Sequence, residues 1–201
     1  MQNLLTKIKL IWTDHSLRNK VFFVLGALIV FRLFSTIPIP GIDTAALSRF
    51  LTGNQFFGIL NIFSGGGLTN LSIVMLGVGP YITSSIIMQL LTIMVPSLKR
   101  LYSEEGEAGR KKFTQYSRLL TVPLAVIQGF SLLTILEQQS ILINLTPFDR
   151  IVNIFIVVAG SILLTWLGEL VTEFGIGNGV SLIIFAGIVS SLPVWVGQHL
   201  Y

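Results

Sequence analysis

Between residues 50 and 98 the chain carries no formal charge, and no other feature of the sequence constrains the fold as strongly. As one helix a run of this length would extend about 70 Å, more than twice the hydrocarbon core of a bilayer at about 30 Å. It has to break, and Ser64-Gly65-Gly66-Gly67 marks the place, because glycine disfavours helix. The break leaves a half-helix at about 54–63 and a span at about 71–95, which Pro96 helps to end. A half-helix cannot cross a bilayer, and its freed backbone groups cannot face lipid. It has to fold into protein or into a watery cavity.

The other gaps between charges read the same way. Residues 119–136, 151–168 and 174–201 are free of formal charge, and Arg32 is the single charge between Lys20 and Asp43. Each stretch is long enough, or nearly so, for one helical crossing. The chain is 52% hydrophobic and only 11% charged, against about 25% charged in soluble domains, so lipid is its natural solvent. The pattern predicts an all-α polytopic membrane protein with five spans, at about 21–40, 71–95, 118–137, 151–170 and 180–198, plus one re-entrant piece.

Basic residues set the orientation. Lys7, Lys9, Arg18 and Lys20 precede the first span. Lys99, Arg100, Arg110, Lys111, Lys112 and Arg118 lie between the second and third. Only Arg49 and Arg150 fall on the opposite side, so the N-terminus is expected in the cytoplasm and Tyr201 outside. Residues 1–20 are too long and too charged for the n-region of a cleavable signal. They read as a cytoplasmic amphipathic segment, with Leu5, Ile8 and Trp12 on one face. Arg32 is costly at membrane depth, and both snorkelling and burial against a neighbouring helix are open to it. Gln89 is a polar group in a span and is expected to hydrogen-bond a neighbouring helix.

Nothing in the sequence points to an enzyme. It shows no nucleophile–base pair, no carboxylate pair at catalytic spacing and no phosphate loop with its lysine. The chain has no cysteine, which excludes disulfides and thiolate metal sites, and His15 and His199 are far apart. No metal or cofactor is expected. The GIGNG run at 175–179 has GxGxG spacing and links two spans, so it reads as a tight turn with positive φ rather than a dinucleotide fingerprint.

Four stretches are more specific. They are FFGILNIFSGGGL followed by LGVGPYITSSIIMQLL (76–91), the basic segment SEEGEAGRKKFTQYSR (103–118), WLGELVTEFGIGNGVSLIIFAGIV (166–189) and IPIPGID (37–43). In order and spacing they closely resemble the SecY family, the pore-forming subunits of the Sec protein translocase, along essentially the whole chain. The resemblance implies one half of a clamshell of two inverted five-span halves. Its plug falls at about 54–68, including Phe56, Phe57, Ile59, Leu60, Ile62, Phe63, Gly65, Gly66 and Gly67. Its pore ring falls on Val78, Ile82, Val180 and Ile184, each pair spaced i, i+4 on one helix face. Ile86 and Gln89 fall on its lateral gate, and Arg110, Lys111 and Lys112 on its cytoplasmic docking face.

The implied function is a protein-conducting channel subunit that passes unfolded secretory proteins across the membrane and releases membrane proteins into it. The implied partners are SecE- and SecG-type subunits, the motor ATPase SecA or the ribosome, signal sequences and nascent chains, membrane lipid, and the remaining C-terminal half of the clamshell. The expected location is a bacterial plasma membrane, with a plastid thylakoid as the minor option. Phe174 departs from the family, which often has a basic residue there, and Asn70 stands where some relatives carry a charge. A secondary transporter is the competing class, disfavoured because such proteins usually need polar or ionisable residues at the midplane and, apart from Arg32, the middles of the spans carry no formal charge. An assembly fragment without transport of its own is a third reading.

Overall fold

The computed structural model describes residues 14–42, 46–47, 67–68, 70–142 and 146–199, with side chains described as far as 189. Among them are six helices: α1 (His15–Phe34), α2 (Gly79–Met94), α3 (Pro96–Ser103), α4 (Gly106–Gln138), α5 (Pro147–Phe174) and α6 (Gly179–His199). The fold is all-helical. Two extended contacts, Pro38 with Ser72 and Ile42 with Leu142, are isolated bridges. The plug positions from Phe56 to Gly66 lie outside the described residues, whereas Gly67 is buried.

By length and composition α4 and α5 can each cross a membrane, with mean hydropathies of 2.1 and 2.2 in their best windows. The α2–α3 pair adds a third crossing if its 111° bend lies within one span. The five crossings read from charge gaps therefore exceed what these two criteria certify. Arg18, Lys20 and Arg32 dilute α1, and the apolar helix described at the start of α6 covers only Gly179–Val189.

Helix limits differ from the expected spans for local reasons. α1 starts at His15, where the Asp14 carboxylate accepts from Ser16 N at 2.9 Å, so the expected boundary at residue 20 falls inside a helix. It stops at Phe34, ahead of Pro38 and Pro40, where the Ser35 and Thr36 hydroxyls donate to the carbonyls of Arg32 and Leu33. Residues 71–78, expected as the start of the second span, are turns. Leu71 and Gly77 have φ of 40° and 57°, and helix begins only at Gly79 with Pro80 in its first turn. Pro96 has no N–H to continue α2, so the chain bends there and restarts as α3. The basic segment expected as a loop is largely helical, because Glu107, Ala108, Arg110, Lys111 and Lys112 are good helix formers and belong to the first turns of α4.

The helices run antiparallel in sequence order. Arg118 near the start of α4 pairs with Glu169 near the end of α5. At the opposite end Arg150 donates to Thr134 at 2.8 Å, faces Glu137 at 3.4 Å, and lies 4.9 Å from the centroid of the Phe130 ring. Phe23 of α1 meets Phe174 edge-on at 5.9 Å, which puts the start of α1 beside the end of α5. Phe174 thus serves α1–α5 packing. The described basic residues other than Arg32 and Arg150 accordingly gather at one end of the bundle.

Two apolar clusters hold the helices. One joins Leu71, Met75, Leu133, Leu136, Ile141 and Val157 at the Arg150 end. The other joins Ala27, Phe31, Val74, Val78, Leu164, Leu167, Val171 and Ile183, with Ile82, Val180 and Ile184 packed on it. Small residues set the spacing. A Cβ on Gly160 would collide with the Ile73 carbonyl oxygen, and one on Gly179 with the Gly168 carbonyl oxygen. The backbones of the 70–78 turns and of α6 therefore lie directly against α5.

Gly160→Ala should push α5 off the 72–78 turns and lower stability by about 1–3 kcal/mol. Gly26→Ala is the control, because a Cβ there has no atom within 4 Å, and it should be neutral or slightly stabilising. Thermal unfolding of the purified full-length protein in detergent checks both. Thr146 and Asp149 form a reciprocal capping box at the start of α5, with Thr146 Oγ1 2.6 Å from Asp149 Oδ2. Thr146→Ala should cost about 1 kcal/mol in the same assay.

Candidate functional site

A cavity of about 820 Å³ opens at the basic end of the bundle between α2, α4, α5 and α6. Its inner wall is apolar. Ile82, Val180 and Ile184 line it and rest on the cluster that buries Val78 at 2% exposure. The four residues expected to form a ring are therefore brought together: Val78 lies beneath the surface of the cavity and the other three on it. One turn from Ile82 along α2, Ile86 and Gln89 also line the cavity. Gln89 is exposed to the cavity space, and among the described residues its side chain makes no hydrogen bond to a neighbouring helix, so it does not act as interhelical glue here.

Backbone contacts fix this wall. Ser161 Oγ donates to the Gly77 carbonyl at 2.9 Å, and Ile82 N to the Val78 carbonyl at 3.0 Å, so the start of α2 is tied to α5. The Ser84 hydroxyl donates to the Ser117 carbonyl, tying α2 to α4 in the middle of both. The GIGNG run turns as expected, with Gly177 at φ 76°. The turn is also capped. Asn178 Oδ1 accepts from Ser181 N at 3.1 Å, and Thr172 Oγ1 accepts from Gly179 N at 2.8 Å while donating to the Gly168 carbonyl at 2.9 Å. These bonds aim the first turn of α6, with Val180, at the cavity.

The outer wall is polar and charged. α4 supplies Arg110, Lys111, Thr114, Gln115 and Arg118, while α5 supplies Glu169, Thr172 and Glu173. Arg118 Nε donates to Glu169 Oε1 at 3.0 Å, and a terminal guanidinium nitrogen meets the second carboxylate oxygen, giving a two-pronged pair. The expected docking set is divided. Arg110 and Lys111 face the cavity, whereas Lys112 points away toward Glu105 at 3.9 Å and Arg100 of α3 toward Glu104 at 3.6 Å. Arg32 is exposed on α1, away from this site.

The sequence reading did not single out Glu169, Glu173 or Arg118 as site residues. A signal was present: two carboxylates spaced i, i+4 close the charge-free run 151–168, and Arg118 ends the basic segment at the matching depth of the antiparallel neighbour. Among the described residues no group of three or more His, Cys, Asp or Glu side chains is placed to hold a metal ion. The arrangement can accommodate a chain-like ligand, apolar at its inner end and mixed in charge at its mouth.

Comparison with known proteins agrees with this geometry. The family model described as SecY matches residues 72–201. The protein translocase subunit SecY of Corynebacterium glutamicum is 42% identical over 193 residues, which cover 90% of this chain and 44% of that protein. That of Vibrio cholerae is 46% identical over 187 residues, covering 90% of this chain and 42% of that protein. The chain thus spans less than half the length of these relatives. Among solved structures, Sec61 in the canine ribosome-channel complex from the endoplasmic reticulum matches with a TM-score of 0.62 at 22% identity, over 88% of this chain and 37% of that one. A structure titled a protein conducting channel matches with a TM-score of 0.60 at 23% identity, over 88% and 37%. These two likenesses speak for the fold. With the family model matched over well more than half of its residues, the chain belongs to the SecY family.

Proposed function

We propose that this chain forms one half of a protein-conducting channel, which passes unfolded polypeptides across a membrane and releases apolar segments sideways into lipid. The observation that carries the reading is the convergence of Val78, Ile82, Val180 and Ile184 at the inner wall of a cavity whose mouth is polar. Aliphatic side chains offer a passing chain no fixed hydrogen-bond partners, so they suit a substrate whose sequence changes at every step. When nothing passes they exclude water and ions by dewetting.

The remaining wall belongs to a second half, a reading supported by the open form of the cavity lined by α2, α4, α5 and α6. Segment 54–68 acts as the plug, and Ile86 with Gln89 forms this half's edge of the lateral gate. Arg110 and Lys111 at the mouth, with Lys112 beside them, meet the motor ATPase or ribosome that supplies the energy. SecE- and SecG-type subunits complete the assembly in a bacterial plasma membrane, with five crossings and the basic end of the bundle in the cytoplasm. The basic groups gathered at that end support this orientation.

The chain has no cysteine, so a single cysteine introduced at Ile82 or Ile184 reports without background. In the full-length protein with its partners, that cysteine should crosslink to a secretory chain stalled in transit, whereas one at lipid-exposed Phe155 should not. Failure at both ring positions would remove the reading. Val78→Gly combined with Ile82→Gly should raise resting ion conductance by roughly an order of magnitude in planar bilayers.

A further inference from the structure

The cavity mouth holds five formal charges, arranged by sign. The cations Arg110, Lys111 and Arg118 all come from α4, and the anions Glu169 and Glu173 both come from α5. Arg118 and Glu169 engage each other, with side chains 51% and 18% exposed. Arg110 and Lys111, about two turns before Arg118, make no ion pair among the described residues, and neither does Glu173, one turn beyond Glu169. The mouth therefore has an electropositive wall from α4 and an electronegative wall from α5, bridged by the Arg118–Glu169 pair.

Charges facing a confined space between apolar walls are screened less than charges on an open surface. We propose that the Arg118–Glu169 pair, with Glu173 opposite Arg110 and Lys111, is a charge-discriminating site that sets the relative ease with which cationic and anionic stretches of a polypeptide pass. The proposal rests on reading the cavity as a polypeptide path. The apolar ring beneath is blind to the sign of a charge, so discrimination has to arise at the mouth. A lysine or arginine in transit meets Glu173 and then competes with Arg118 for the Glu169 carboxylate. An aspartate or glutamate meets Arg110 and Lys111 and then competes for the Arg118 guanidinium. Each arriving charge displaces a partner of its own sign, and the displaced group is left to the opposite charges that line the mouth, Glu173 for Arg118 and Arg110 or Lys111 for Glu169. Removing the Glu169 carboxylate leaves three cations against one anion and disfavours basic stretches. Removing the Arg118 guanidinium leaves two against two and disfavours acidic ones.

The test uses the full-length protein with its partners in proteoliposomes. Two secretory substrates, identical except for a cluster of four lysines or four glutamates in the mature region, are followed for their rates of transit. The readout is the lysine-to-glutamate rate ratio, which cancels a general loss of activity. Glu169→Gln should lower the ratio roughly fivefold and Arg118→Gln should raise it by a similar factor. The exchange Arg118→Glu with Glu169→Arg, which preserves the pair, should return the ratio to within about twofold of wild type and serves where a single variant fails to assemble. A ratio unmoved in both single variants, or both substrates slowed by the same factor, would show the pair to be only a brace between α4 and α5 and would overturn the proposal. An otherwise wild-type protein carrying Ile82→Cys that never crosslinks to either stalled substrate would instead remove the path reading beneath it.

Discussion

A stretch of non-helical backbone at the heart of a helical bundle is the constraint on which this structure turns. Residues 70–78 are turns, yet Leu71, Ser72, Val74, Met75 and Val78 are all buried, and every peptide group there needs a partner because neither lipid nor a packed core offers one. The partners come from several directions. Ile39 N donates to the Leu71 carbonyl at 2.9 Å, Ile73 N to the Ile37 carbonyl at 3.0 Å, and Ser72 N to the Gly67 carbonyl at 2.8 Å. From α5, the Ser161 hydroxyl reaches the Gly77 carbonyl at 2.9 Å. Gly160, one residue earlier, is what lets α5 come close enough for that bond to form, since any side chain there would meet the Ile73 carbonyl. The IPIPG segment and α5 thus grip the turns from two sides, and the start of α2 is placed by that grip. Ile82 faces the cavity, and Val78 is buried just beneath it, because of that grip.

Much of this was legible in the sequence. The charge-free runs pointed to an all-helical membrane protein, and the four positions that the family resemblance singled out, Val78, Ile82, Val180 and Ile184, share one cluster. The turns at 71–78 were not legible from hydropathy. Leu71, Ile73, Val74, Met75 and Leu76 are as apolar as any helical span, and only the positive φ values of Leu71 and Gly77, which depend on tertiary hydrogen bonds, separate the two conformations. The same blindness in reverse made residues 99–118 look like a loop. Charge suggested a solvated connection, whereas the helix propensity of the Glu-Ala-Arg-Lys run and the packing of α3 on α4, with Tyr102 4.9 Å from Phe113, favour helix.

The Arg118–Glu169 pair was invisible for a different reason. Each residue ends a charge-free run and by itself reads as an interfacial flank. Their meeting depends on α4 and α5 being antiparallel neighbours at a matching depth, fixed at the far end by Arg150 against Glu137 and Thr134. Once two helices are pinned at both ends, the side chains between them have little freedom in register. The small-residue contacts of α5 with α6 then decide how near Val180 comes to the α2 side of the cavity.

The apolar wall and the charged mouth place opposite demands on the same four helices. An apolar seal works by excluding water, and a nearby formal charge would draw water back in. A charged mouth needs water to keep its side chains solvated. In the channel reading proposed above, mutual neutralisation of Arg118 and Glu169 resolves the conflict, since these two charges form a fork-like pair with little net field, while Arg110, Lys111 and Glu173 make no ion pair among the described residues. On that reading, an ion pair in that position would hold the boundary between wet and dry surface at a fixed depth. A neutral polar residue there would hold it less firmly, and an unpaired charge would move it inward toward Ile82.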